Sequence, residues 1–79
     1  MKKLFVRLDT ITKVKEFVNI VTKQSLDLDL ISGRYVIDAK SIMGIFSLDL
    51  TKDIELHIHY EDENELNNLL DSISDYVVK

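Results

Sequence analysis

The stretch Lys40-Ser41-Ile42-Met43-Gly44-Ile45-Phe46-Ser47-Leu48 reads as a short, partly exposed helix. Ser41 suits the N-cap, where its hydroxyl accepts from a backbone N–H two or three residues on. Lys40 places a positive charge just outside the helix. Ile42, Ile45 and Leu48 recur at three-residue steps and share a face, which leaves Met43 and Phe46 together on another. One face can enter a core while the other meets a partner. Apolar side chains on a short exposed helix form the kind of patch that marks an interaction surface.

Working outward from this helix, Asp49-Leu50-Thr51-Lys52-Asp53 is polar enough for a loop. Ile54, Leu56, Ile58 and Tyr60 then alternate with Glu55, His57 and His59, the period-2 pattern of a half-buried strand. Asp62 followed by Glu65 resembles a capping box, and Leu66, Leu69, Leu70, Ile73 and Val77 give a last helix one apolar stripe. On the N-terminal side, Leu26, Leu28 and Leu30 alternate with Asp27 and Asp29, and Ser32-Gly33-Arg34 supplies a turn into Tyr35 to Asp38. These two segments predict a hairpin. Leu4, Val6 and Leu8 predict a first strand over Lys2 to Leu8. Asp9 or Thr10 then offers a cap, and Ile11, Val14, Phe17, Val18 and Val21 predict a helix over Ile11 to Lys23.

The order βαββαβα suits an α+β fold in two layers, with helices on one face of a four-stranded antiparallel sheet whose other face meets water. A ferredoxin-like domain with an added C-terminal helix has almost the same pattern, so the choice between the two rests on the Ser41 segment.

Composition narrows the function. The chain has 79 residues, which is one domain spanning residues 1–79 and too small for a deep catalytic cavity beside a second unit. No cysteine is present, so neither a disulfide nor a thiolate zinc site can support the fold. No apolar run is long enough to span a bilayer, and Arg7 and Asp9 interrupt the signal-like start, so a cytoplasmic protein without membrane insertion is expected. A net charge of −4 argues against a nucleic-acid partner, because phosphate neutralisation needs a surplus of Lys and Arg on one face.

The nine residues from Lys40 to Leu48 also resemble, nearly position for position, the regulatory-serine segment of the HPr family, the phosphocarriers of the bacterial sugar phosphotransferase system. The close match covers about Leu26 to Leu50, and the whole chain matches in element order. The resemblance implies an open-faced sandwich. It also implies that Ser41 is a candidate for regulatory phosphorylation, and that Lys40, Ile42, Met43, Phe46, Ser47 and Leu48 belong to a protein-docking surface. Its partners would be proteins of the phosphotransferase or carbon-regulation system: enzyme I, a permease domain, a regulatory kinase or a transcriptional regulator.

One part of the family pattern is missing. Phosphate-carrying HPr proteins use a histidine in the loop after strand one, in a segment of the type Gly-Ile-His-Ala-Arg-Pro-Ala, where it caps helix one. Here the region reads Leu8-Asp9-Thr10-Ile11-Thr12-Lys13-Val14, about two residues shorter and without His, Arg or Pro. Asp9, Thr10, Ile11 and Thr12 thus occupy the positions of the lost histidine loop. A threonine hydroxyl does not match imidazole nitrogen as a phosphate acceptor at neutral pH. The negative charge of Asp9 would compete with an incoming anion.

His57 and His59 are the only histidines. Being two apart on a strand, they share a face with Glu55, a spacing that permits a surface metal site but far more often marks solvent-face residues. Glu61 to Glu65 reads as a solvated turn and helix start, since it lacks the Gly turn of a calcium loop. No metal and no cofactor is expected.

The leading expectation is a non-catalytic regulatory or docking paralogue of the HPr family acting through the Ser41 helix. The alternatives are a working phosphocarrier with a non-standard acceptor, and a ferredoxin-like module for a small ligand or for oligomerisation.

Overall fold

A computed structural model describes residues 1–78 of the chain. Its elements are β1 (Lys2–Val6), α1 (Ile11–Thr22), β2 (Asp27–Ser32), β3 (Tyr35–Asp38), α2 (Ile42–Phe46), β4 (Ile54–His59) and α3 (Glu63–Ser72), followed by a 3₁₀ turn, Ser74–Tyr76. The βαββαβα order read from the sequence is therefore present.

The sheet runs β1-β4-β2-β3, and every neighbouring pair is antiparallel. A ferredoxin-like sheet, built as a split βαβ unit, has a parallel pair at its middle. This one has none, so that alternative is set aside and the fold is an HPr-like open-faced sandwich.

Alternation decides which way each strand faces. Val6, Leu28, Leu30, Ile54, Leu56 and Ile58 lie beneath the helices and are buried, together with Val14, Phe17 and Val21 of α1, Ile45 of α2 and Leu66 and Leu69 of α3. Complete burial of side chains this size is worth about 1.5–3 kcal/mol each, so the sheet and helix stripes supply most of the stability. Glu55, His57 and His59 face the other side, as period 2 requires.

Gly33 sits at φ +60 in the hairpin turn, a conformation that glycine adopts without steric cost.

Four expectations need correction. The first strand ends at Val6, and Leu8 is buried in the segment beyond it. Ile11, expected on the core stripe of α1, is 64% exposed, because it stands at the first helical position and at the margin of the stripe that Val14, Phe17 and Val21 bury. Asp62 caps α3 through the amide of Asn64 at 2.8 Å, so the bond from Asp62 goes one residue short of a capping box.

The last correction concerns the C-terminus. The final helix stops at Ser72, and Val77 is not on its stripe but bridges Val6. The Arg7 amide donates to the Tyr76 carbonyl and the Val78 amide to the Phe5 carbonyl, each at 2.8 Å. The outer edge of β1 carried unpaired backbone groups, and the last residues satisfy them.

Candidate functional site

Two helix starts carry the candidate residues, and both use a hydroxyl cap. At α1, Thr10 is extended at φ −133, ψ 155, and its side chain accepts from the Lys13 amide at 3.1 Å. The Lys13 ammonium meets the Asp9 carboxylate at 2.9 Å. That hydrogen bond holds the Asp9 carboxyl below its usual range, and the lysine charge adds to the effect. Of the four residues expected at the position of the family's histidine loop, then, Asp9 is ion-paired, Thr10 is the cap, and Ile11 and Thr12 are exposed at the first turn. None offers a ring nitrogen.

At α2, Ser41 is likewise extended at φ −96, ψ 99, and its exposed hydroxyl accepts from the Gly44 amide at 3.3 Å. The serine reaches that position through Asp38, whose carbonyl accepts from the Ser41 amide and whose side chain accepts from the Lys40 amide, both at 2.9 Å. Asp38 is a positioning residue that the sequence reading passed over. Its signal was an Asp at the end of a strand, two residues before a chain reversal.

Gly44 is needed for a different reason. A β-carbon there would lie 2.7 Å from Cγ2 of Ile37 and 3.1 Å from Oγ of Ser41, so the missing side chain lets α2 approach both β3 and its own cap.

The expected division of faces holds for α2. Ile45 is fully buried, Ile42 and Leu48 are half-buried against the core, and Met43 and Phe46 are 77% and 38% exposed. Ser47 closes the helix by donating from its hydroxyl to the Gly44 carbonyl at 2.6 Å. Ser47 and Leu48 also line an open groove shared with Phe5, Tyr35 and Lys52. Lys40 stands apart from the other docking candidates, because its ammonium donates to the Gln24 carbonyl at 2.9 Å in a half-buried position. A cation is favourable there, beside the carbonyl end of α1.

His57 and His59 lie away from both helix starts, on the open face of the sheet. His57 contacts Glu55, and His59 lies 3.0 Å from the Asp29 carboxylate. The histidines are thus placed with separate acidic partners. No helix among the described residues is long and apolar enough to cross a membrane.

The family model described as the PTS HPr component phosphorylation site matches residues 12–78. Among curated protein sequences, none matches the chain significantly. Three solved structures are similar. HPr-C-His from Thermoanaerobacter tengcongensis is 24% identical, covering 95% of this chain and 93% of its own, with a TM-score of 0.72. The phosphocarrier protein HPr from Bacillus anthracis is 25% identical over 90% and 92%, with a TM-score of 0.64. Crh of Bacillus subtilis, described as a catabolite repression containing protein with a swapped dimer, is 25% identical over 96% and 90%, with a TM-score of 0.62. With a family match that runs from the first turn of α1 to the last described residue, the chain belongs to the HPr family of phosphotransferase-system proteins.

Proposed function

We propose that this chain is a regulatory or docking member of the HPr family that does not relay phosphate and catalyses no reaction. One observation carries the reading. The start of α1 is closed by a threonine cap and an Asp9–Lys13 ion pair where the family's carriers present an imidazole, while the start of α2 keeps an exposed serine beside Met43 and Phe46.

The chemistry follows from the acceptors present. Relay requires a group that takes phosphate from an activated donor and releases it readily. An imidazole nitrogen does both, whereas a threonine ester holds the phosphoryl group too firmly to pass it on. An acyl phosphate on Asp9 would first have to break the Lys13 contact and would set a new anion beside the carboxyl site.

Docking then takes place through Ile42, Met43, Phe46, Ser47 and Leu48 on a cytoplasmic protein of the phosphotransferase or carbon-regulation system, with enzyme I, a permease domain, a regulatory kinase and a transcriptional regulator as the partner classes. Ser41 is the switch. Its Oγ attacks the γ-phosphorus of ATP on the kinase, ADP leaves, and the proton passes to the kinase's base. The product adds roughly −2 charge one turn from the apolar patch, enough to oppose an acidic or apolar partner face.

Enzyme I and labelled phosphoenolpyruvate, with a histidine-bearing HPr as control, test the main reading. The control takes label and this chain does not. Label passing through this chain to a sugar overturns the reading. For the switch, incubation with an HPr-type kinase and ATP is read by intact mass and peptide mapping, and a chain left unmodified, or modified away from Ser41, removes it. Met43→Asp and Phe46→Glu should each weaken partner binding about tenfold or more with the fold retained.

A further inference from the structure

The two edges of the sheet are treated differently. The outer side of β1 is covered by the C-terminal residues, through the Arg7–Tyr76 and Val78–Phe5 backbone bonds and the Val6–Val77 bridge. β3 forms the opposite edge, and no described segment pairs with its outer side. Tyr35 and Val36 on that edge are 69% and 64% exposed. An open edge with apolar side chains is a template for another strand.

We propose that β3 is a self-association edge, on which a second copy of this chain docks antiparallel about a two-fold axis through Val36, extending the sheet across both molecules.

The backbone supports this register. Ser32 and Tyr35 face each other across the Gly33-Arg34 turn, the hydrogen-bonded pair of a two-residue hairpin. Alternation makes Leu30 and Ile37 the next such pair, and the Ala39 amide continues the series by donating to the Leu28 carbonyl at 2.9 Å. The odd-numbered residues of β3 therefore turn their amides toward β2. Val36 turns both its N–H and its C=O outward, as Asp38 does its N–H. The Asp38 carbonyl is already occupied by the Ser41 amide.

Facing residues of an antiparallel pair share a face of the sheet, so a symmetric pairing must be centred on a residue and not between two. A centre on Tyr35 would set Arg34 opposite Val36 and leave its charge unpaired, and a centre on Ile37 would set Arg34 opposite Lys40 and call on the Asp38 carbonyl that the Ser41 amide occupies. A centre on Asp38 would set two carboxylates against each other. Val36 remains. In that register Val36 meets Val36 of the second copy, Tyr35 meets Ile37, and Arg34 meets Asp38 twice over, once on each side of the axis. Arg34 has no ion-pair partner among the described residues. The edge is thus complementary to itself in charge as well as in backbone bonding, which favours a second copy over an unrelated strand.

Sedimentation equilibrium on the full chain from about 10 µM to about 1 mM tests the proposal, since an interface this small belongs to the weak class. The expected result is a monomer–dimer equilibrium. Arg34→Asp and Asp38→Arg should each weaken association at least about tenfold, by setting like charges opposite each other. An equimolar mixture of the two variants should recover the dimer as a heterodimer, because the reversed charges then face one another. Arg34→Lys keeps the charge and should keep the dimer, which protects the test should Asp38→Arg disturb the entry to α2. A monomer throughout the range overturns the proposal, as does a dimer indifferent to Arg34→Asp, failure of two folded charge-reversal variants to recombine, or loss of the dimer on Met43→Asp, which lies on the α2 surface.

Discussion

The starts of α1 and α2 look alike in their backbone and differ in what surrounds them. Each is capped by a hydroxyl that accepts from the amide three residues on, at 3.1 Å from Lys13 to Thr10 and 3.3 Å from Gly44 to Ser41. Behind Thr10 runs a 12-residue helix with Val14, Phe17 and Val21 in the core. Behind Ser41 runs a five-residue helix with Ile45 as its one buried residue. A cap ahead of three anchors is a structural fixture. A cap ahead of one anchor belongs to a segment that can give at modest cost, which suits a surface that has to meet partners.

The largest way to break this contrast is to remove the anchors. Phe17 is fully buried and meets Tyr76 edge to face, with ring centroids 5.9 Å apart. Phe17→Ala should cost about 3–5 kcal/mol, a large part of the total for a domain of this size, and should be read as early global unfolding in urea. Ile45→Ala should cost about 2–4 kcal/mol, and hydrogen exchange should show the amides near α2 opening well before the sheet. Equal loss of protection in both regions would erase the distinction.

A smaller effect tests what holds α1 from its far side. The Tyr76 hydroxyl donates to the Glu16 carboxylate at 2.8 Å, and burial first, then that hydrogen bond and the glutamate charge, pushes the phenol up to about 12. Tyr76→Phe keeps the ring and loses the bond, so a loss of about 1–2 kcal/mol is expected at pH 7. The phenol binds its proton more tightly folded than unfolded. Its contribution is therefore fully present below about 10, the ordinary tyrosine value, and is lost as pH rises toward about 12. Denaturant melts of the two proteins should converge over that alkaline window. α2 has no comparable clamp among the described residues.

Much of this contrast was legible in the sequence, for reasons that can be named. Ile42, Ile45 and Leu48 at three-residue steps, with Met43 and Phe46 off the stripe, gave the faces of α2 because burial on a helix follows spacing. The alternation from Ile54 to His59 gave β4 for the same reason at period 2. Family membership was legible from the Lys40 to Leu48 segment. What stayed hidden depends on contacts between residues distant in the chain. Val77 has the right spacing for the α3 stripe, yet the unpaired edge of β1 competes for it and prevails. Ile11 has a permitted spacing for α1, but it falls at the margin of the stripe that Val14, Phe17 and Val21 bury. Lys40 looked like a free charge at a docking helix, and only the fold brings it to the Gln24 carbonyl.

The caps themselves come next in size. Thr10→Ala and Ser41→Ala should each cost about 0.5–1 kcal/mol, with the longer Ser41 bond at the lower end. They should differ in where the cost falls. Thr10→Ala lowers global stability, because α1 cannot fray without exposing Val14, whereas Ser41→Ala raises exchange locally in α2.

The smallest expected effect belongs to the Asp9–Lys13 pair, and its pH dependence is the means of seeing it. Because the lysine hydrogen bond lowers the Asp9 carboxyl in the folded chain, folding releases a proton, and the stabilisation is present above the ordinary aspartate value and fades as pH falls through the lower folded one. Both groups are well exposed, so the pair contributes little, and salt should shrink it further. The melting midpoint of Asp9→Asn should accordingly sit slightly below that of the native chain from neutral pH down to about 5, and the two should meet in more acid solution. At α2 the preceding residue is Lys40, whose ammonium is held by the Gln24 carbonyl, and no carboxylate titrates against it in that contact. Lys40→Met should therefore shift the midpoint by the same amount at pH 5 as at pH 3.5. If its effect instead faded with acid as that of Asp9→Asn does, the two helix starts would be held by the same electrostatics and the contrast between them would lie in their anchors alone.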